Sequence, residues 1–161
     1  MGWRVRRAGR GDAGALARLR WLFRAEMGQA SEPLADFVVR AEGWMEPRLA
    51  SGGHWMAWLV VDDDGGPVGC GWLQLIEKVP NPGPEEELHG YVTSLFVVPE
   101  LRGGGAGAAL LSAVLDACRE AEVDSVILWP TSRSRSLYER FGFRDGGEVM
   151  VLRLGTGRAL P

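Results

Sequence analysis

The residues whose types and spacing suggest chemistry lie between Tyr91 and Ala108: Tyr91-Val92-Thr93-Ser94-Leu95-Phe96-Val97-Val98-Pro99-Glu100-Leu101-Arg102-Gly103-Gly104-Gly105-Ala106-Gly107-Ala108. A β-branched, apolar run is stopped by Pro99 and passes into three consecutive glycines that open a helical stretch. At such a junction backbone N–H groups point outward, and the helix dipole adds partial positive charge. The chemistry this suits is the holding of an anion such as a pyrophosphate. Glycine is needed there because a Cβ would keep phosphate oxygens away, and because some loop residues must take positive φ. Arg102 adds a permanent charge beside the loop.

Three phosphate-binding patterns compete for this segment. A Walker loop ends in Gly-Lys-[Ser/Thr], whereas this one ends Gly107-Ala108-Ala109. A dinucleotide fingerprint fits superficially as Gly103-x-Gly105-x-x-Ala108, but it requires an acid about 20 residues on, at the tip of the next strand. The run Val126-Ile127-Leu128-Trp129 supplies none, and the 58 residues after Gly103 are too few for the remaining βαβ units. The third pattern, Arg102-x-x-Gly105-x-Gly107, resembles the acetyl-CoA motif of the GNAT N-acetyltransferase superfamily, [Gln/Arg]-x-x-Gly-x-[Gly/Ala]. Its context agrees: a Leu95-x-Val97-x-Pro99 strand before it, an amphipathic helix after it, and Leu137-Tyr138-Glu139-Arg140-Phe141-Gly142-Phe143, which is similar to the family's second motif. The motif-level resemblance spans about residues 91–143.

The resemblance implies a fold, a cosubstrate and a set of roles. The fold is one α/β domain over residues 1–161, with a mixed central sheet splayed between its fourth and fifth strands and flanked by helices. Acetyl-CoA is the implied cosubstrate, and no metal is implied. Its pantetheine would pair with the backbone around Leu95, Phe96 and Val97, which is strand addition by a ligand. Its pyrophosphate would fall on Arg102, Gly103, Gly104, Gly105, Ala106, Gly107 and Ala108. Tyr138 stands where the family carries its general acid, although a core aromatic would suit the same position. His89, thirteen residues before Arg102, matches a strand position that bears a glutamate base in some relatives. Glu87, with Glu86, is the alternative base, acting through water. Where relatives often carry Asn and Ala ahead of the tyrosine, this chain has Thr131 and Ser134, small polar residues able to cap the short helix. Arg133 and Arg135 stand within reach of a 3′-phosphate or are simply solvated.

The elements that must position these groups follow from periodicity. Trp3–Arg7 reads as a strand, and Asp12 as the cap of a helix bearing Leu16, Leu19 and Phe23 on one face. Leu34, Phe37, Val38, Ala41, Met45 and Leu49 stripe a second helix. Trp55–Val61 and Pro67–Ile76 form a hairpin across Asp62–Gly66, and Lys78–Glu87, with three prolines, is a loop. Strand His89–Val98, helix Gly105–Ala121, strand Ser125–Trp129, helix Ser134–Phe141 and one or two closing strands in Phe143–Leu154 complete the order. The crossover helix makes the strands on either side of it parallel.

Composition narrows the class. With 46% hydrophobic and 24% charged residues the chain reads as a soluble globular protein, and no apolar run approaches a membrane span. A net charge of −3 argues against a nucleic-acid partner. The lone Cys70 and Cys118 suit a reducing compartment and make neither a metal site nor a nucleophile with a neighbouring base. The expectation is a cytoplasmic enzyme that acetylates a small-molecule or peptide amine directly, with a homodimer left open. Trp21, Phe23, Glu26, Trp44 and Glu46 are the candidates for the acceptor side. A non-catalytic acetyl-CoA sensor of the same fold is the rival reading.

Overall fold

The computed structural model describes residues 2–50, 52–84, 87–147, 149–152 and 154. Elements follow in the order β1 (Trp3–Arg7), α1 (Ala13–Glu26), α2 (Leu34–Arg48), β2 (Trp55–Asp62), β3 (Pro67–Glu77), β4 (Leu88–Val97), α3 (Ala106–Glu120), β5 (Ser125–Ile127) and α4 (Arg135–Arg140). Two 3₁₀ turns, Arg10–Asp12 and Pro99–Leu101, precede α1 and α3.

The strands lie in sequence order, β1-β2-β3-β4-β5. The first four pair antiparallel through short connections, and β5 pairs parallel to β4 because α3 intervenes. The Asp62 side chain closes the β2–β3 hairpin by accepting the Gly66 N–H at 2.7 Å. Alternation along the strands divides the core into two layers. Ala57, Leu59, Val61, Cys70, Trp72 and Phe96 face Leu16, Leu19, Ala41 and Met45 of α1 and α2. On the opposite face α3 buries Leu110, Leu111, Val114 and Cys118. Gly71 and Gly90 let α3 sit close: a Cβ at Gly71 would meet Leu110 at 3.4 Å, and one at Gly90 would meet the Cys118 sulfur at 3.1 Å.

Asp12 does not cap α1 with its side chain. Its carboxylate instead receives the Arg6 guanidinium at 2.7 and 2.8 Å and the Gly9 N–H at 2.8 Å. The charged fork of Arg6 outcompetes a neutral amide for those oxygens. Arg6, on the strand just before the turn, is placed to reach it.

Residues from Leu128 onward form a second compact unit. Strand β5 is shorter than expected, ending at Ile127 before Leu128 and Trp129. In α4 the motif residues have a local structural role. Gly142, at φ +92°, follows the helix; its N–H bonds the Glu139 carbonyl at 3.0 Å, and the Phe143 N–H bonds the Tyr138 carbonyl at 3.1 Å. This is a Schellman cap, and its usual apolar contact is the Tyr138–Phe143 ring pair at 5.7 Å. Ser134 and Thr131 bond each other rather than the first amides of α4: the Thr131 N–H donates to Ser134 Oγ at 2.9 Å. The expected closing strand is absent from the described part of Phe143–Leu154, where Gly147 at φ +60° breaks extended backbone and Val149, Met150, Val151 and Leu152 are exposed. Residues 148 and 153 of that stretch lie outside the described set.

Candidate active site

The site begins with how β4 is paired. On its β3 side it is bonded from Leu88 to Val97, but on its β5 side it is paired only at His89, Gly90 and Tyr91. Beyond Tyr91 the strand continues for six residues with no strand on that edge among the described residues. Within this free stretch the register with β3 slips: Trp72 faces Thr93 while Cys70 faces Phe96, so Ser94 and Leu95 both stand opposite Gly71. Ser94 takes φ +54°, the extra residue of a β-bulge. The bulge turns the strand and sends Leu95 toward the α3 face, where it would lie 3.1 Å from a Cβ at Gly71. Phe96 goes to the other face and stacks on Phe23 at 5.5 Å. Phe96 and Val97 are buried, so their side chains anchor the strand while its backbone forms the edge.

Strand β4 then feeds the glycine loop. The Pro99–Leu101 turn closes with the Leu101 N–H on Val98 and the Arg102 N–H on Pro99. Gly103 and Gly105 take φ +79° and +87°, which few side-chain-bearing residues adopt. The ladder of α3 starts with the Ala109 N–H on Gly105 at 3.0 Å, so the N–H groups of Ala106, Gly107 and Ala108 precede it. These amides, with the α3 dipole behind them, form a donor cluster suited to a pyrophosphate. The Trp3 ring flanks the loop, 3.8 Å from where a Gly105 Cβ would stand.

Arg102 is engaged elsewhere. Its Nη1 and Nη2 each donate to a Glu26 carboxylate oxygen at 2.7 Å, and its Nε donates to the Val97 carbonyl at 2.9 Å. The Glu26 bond holds the guanidinium above its ordinary pKa. Its side chain braces α1 to the end of β4, and the loop's positive potential comes from the amides.

Tyr138, in α4, is buried, and burial pushes its phenol pKa up, with the Ser134 hydroxyl offsetting part of the shift. The phenol therefore holds its proton throughout the neutral range. His89 is half-buried, with Nδ1 2.6 Å from the Ser125 hydroxyl. It stands six residues ahead of Leu95, roughly 20 Å along an extended strand. Glu87 is exposed just before β4, and its carbonyl accepts the Lys78 N–H at 2.8 Å. Glu86 lies outside the described residues.

Among the acceptor-side candidates, both acids are paired with arginines: Glu26 with Arg102, and Glu46 with Arg10 at 3.2 Å. Trp21 donates to the Glu32 carbonyl at 2.8 Å, and Trp44 packs with Trp55 and Trp72. The thiols of Cys70 and Cys118 are buried and pushed up to about 12 and about 11. Sequence reasoning passed over Arg20, whose Nη1 donates to Ser94 Oγ at 2.8 Å. The available signal was its spacing: four residues after Leu16 and three before Phe23, it is a cation on the apolar stripe of α1.

A strand with a freed edge running into a glycine loop at a helix N-terminus defines a class, and comparison with known proteins identifies it. The sequence model of the acetyltransferase (GNAT) family matches residues 16–143. The chain belongs to the GNAT acetyltransferase family, as one α/β domain of that fold with a five-stranded mixed sheet. It is 36% identical over 126 residues to a mycothiol acetyltransferase of Beutenbergia cavernae; the match takes in 75% of this chain but only 37% of that relative. A GCN5-related N-acetyltransferase from Ralstonia eutropha JMP134 superposes with a TM-score of 0.78 at 28% identity, covering 96% of this chain and 100% of that one. A predicted acetyltransferase with acetyl-CoA from Clostridium acetobutylicum has the same fold, with a TM-score of 0.78 at 21% identity, covering 95% and 97%.

Proposed function

We propose that the chain is an acetyl-CoA-dependent N-acetyltransferase that passes the acetyl group directly to an amine. The observation that carries this is the coincidence of the freed β4 edge with the glycine loop that follows it. An extended amide chain ending in a pyrophosphate needs a strand edge and an anion cradle in that order. Backbone groups at Leu95–Val97 hold the pantetheine, and the amides of Gly103–Ala108 hold the pyrophosphate. The cosubstrate supplies an acetyl thioester. The chain's own residues orient it, neutralise developing charge and move protons. N–H groups of the β4 edge stabilise the oxyanion. Tyr138 delivers a proton to the departing sulfur, a role supported by its motif position and by a phenol that is protonated at neutral pH, burial raising its pKa further. His89, its ring oriented by the Ser125 hydroxyl and roughly 20 Å along β4 from Leu95, takes up the proton of the amine only through a chain of several waters; Glu87 is the second choice. Deep burial of both thiols favours direct transfer over an acetyl-cysteine intermediate.

Calorimetry with acetyl-CoA tests the cradle. Wild type binds, and Gly105→Glu, which adds bulk and like charge, weakens binding at least about tenfold. Unchanged affinity in folded Gly105→Glu overturns the placement of the pyrophosphate. Binding without release of CoA in the presence of any amine points to a sensor instead.

A further inference from the structure

The acceptor side of β4 carries a cation for which the proposed reaction has no assigned use. Arg20 projects from the apolar stripe of α1 onto the bulge and is partly buried there. Among the described residues its hydrogen bond goes to the neutral Ser94 hydroxyl, and its guanidinium carbon lies 5.8 Å from the Phe23 ring. The charged group nearest in effect is another cation, Arg24, one turn along the same helix. Cys70, which also influences it, is a buried thiol pushed up to about 12 and so carries no counter-charge. No carboxylate among the described residues pairs with Arg20. Glu26, the acid closest in sequence on α1, is held by both terminal nitrogens of Arg102.

Withdrawing a guanidinium from water without a counter-charge is costly, and buried charges in folded proteins are ordinarily paired. Arginine presents five N–H donors in a planar fork that matches a carboxylate or phosphate. One Ser94 hydroxyl leaves most of that fork open. The cation also sits where the strand edge is free: Ser94 is three residues past the last β4–β5 pair and next to Leu95.

We propose that Arg20, set against the β4 bulge, is an oxyanion-binding residue of the acceptor site, so that the amine substrate carries a carboxylate or phosphate near its amino group. This rests on the acetyltransferase reading and narrows it to a substrate class. Arg24 adds to the positive potential of the same patch, and the bulge serves to present the Ser94 hydroxyl and fix the fork.

The test measures kcat/KM for matched amine pairs: L-phenylalanine and L-glutamate each against its α-amide, and glucosamine 6-phosphate against glucosamine. Acetyl-CoA binding is measured separately by calorimetry. The charged member of at least one pair should be preferred by tenfold or more. In Arg20→Gln that preference should collapse to within about threefold of unity, with the loss mainly in KM, and Arg20→Lys should restore part of it. The carboxylate and phosphate pairs show which oxyanion is meant. A purely structural arginine would lower both members of each pair together and leave the preference intact, and that result overturns the inference. So does preference for the neutral members, or failure to acetylate any charged member while acetyl-CoA binds; in these cases the cosubstrate reading stands. Absence of acetyl-CoA binding overturns both.

Discussion

A phenol serves as a general acid at neutral pH only if it keeps its proton until the sulfur departs; tyrosine's ordinary pKa of about 10 already ensures this, and burial of Tyr138 raises it further. Because Phe143 and the helix cap hold the ring, Tyr138→Phe keeps the packing and removes only the proton. Its kcat should fall by about 10²–10³-fold, the lower part of the range for general acids, since a thiolate is already a fair leaving group. Acetyl-CoA affinity should stay within about twofold. The alkaline limb of the wild-type profile should lie above tyrosine's ordinary pKa of about 10 and vanish in the variant. Stopped-flow rates with chemistry shown to be limiting check this; equal turnover across pH 6 to 10 would make Tyr138 a packing residue. The cysteines give the opposite expectation. With thiols raised to about 12 and about 11, neither is a thiolate at neutral pH. The Cys70→Ala/Cys118→Ala double variant should lose on the order of 1–2 kcal/mol of stability through small cavities yet keep kcat within about threefold. An acetylated cysteine trapped during turnover would contradict direct transfer.

At the scale of elements, the decisive feature is a loop whose backbone takes positive φ at two glycines, Gly103 and Gly105. Gly105→Ala meets no clash, since Trp3 would be 3.8 Å away, but φ +87° should cost about 1–2 kcal/mol. Gly104→Ala is the control: its φ is not in that region, and its Cβ would meet the Leu101 carbonyl at an ordinary 3.5 Å. Thermal melts should show Gly105→Ala several degrees below Gly104→Ala; equal melts would remove the strain argument. The helices and strands up to β4, and the glycine loop, were legible in the sequence because apolar period and turn residues act locally. Register and pairing were not. Nothing in Thr93-Ser94-Leu95 announces a bulge, which arises when β4 is laid against Gly71 of β3. Asp12 read as a cap because its spacing was right, but Arg6 claims the carboxylate. The run Val149–Leu152 has strand composition, yet composition does not supply a partner, and its described residues are unpaired as strand. The Leu-Tyr-x-x-x-Gly-Phe run was read as a family signature, while its local physical content is a helix cap.

At the scale of the molecule, the sheet carries α1 and α2 on one face and α3 on the other, and Arg102 ties these layers together at the end of β4. Glu26 closes α1, Arg102 precedes the loop that opens α3, and the two residues are 76 positions apart in sequence. No local pattern could have announced that pairing, which is why the arginine read as a phosphate ligand. Both partners keep about a quarter of their side-chain surface exposed, so the bidentate bond is discounted for screening and should couple them by about 1 kcal/mol. In a double-mutant cycle, Glu26→Gln and Arg102→Gln should each lower Tm by a few degrees, and the pair together by less than the sum. The two readings of Arg102 separate in acetyl-CoA affinity. If the guanidinium works as a brace, both substitutions loosen the loop and weaken binding in the same direction. If it is a phosphate ligand restrained by Glu26, releasing it in Glu26→Gln tightens binding while Arg102→Gln weakens it. The three bonds from Arg102 to Glu26 and Val97 favour the first outcome, and opposite shifts in the two variants would reverse that assignment.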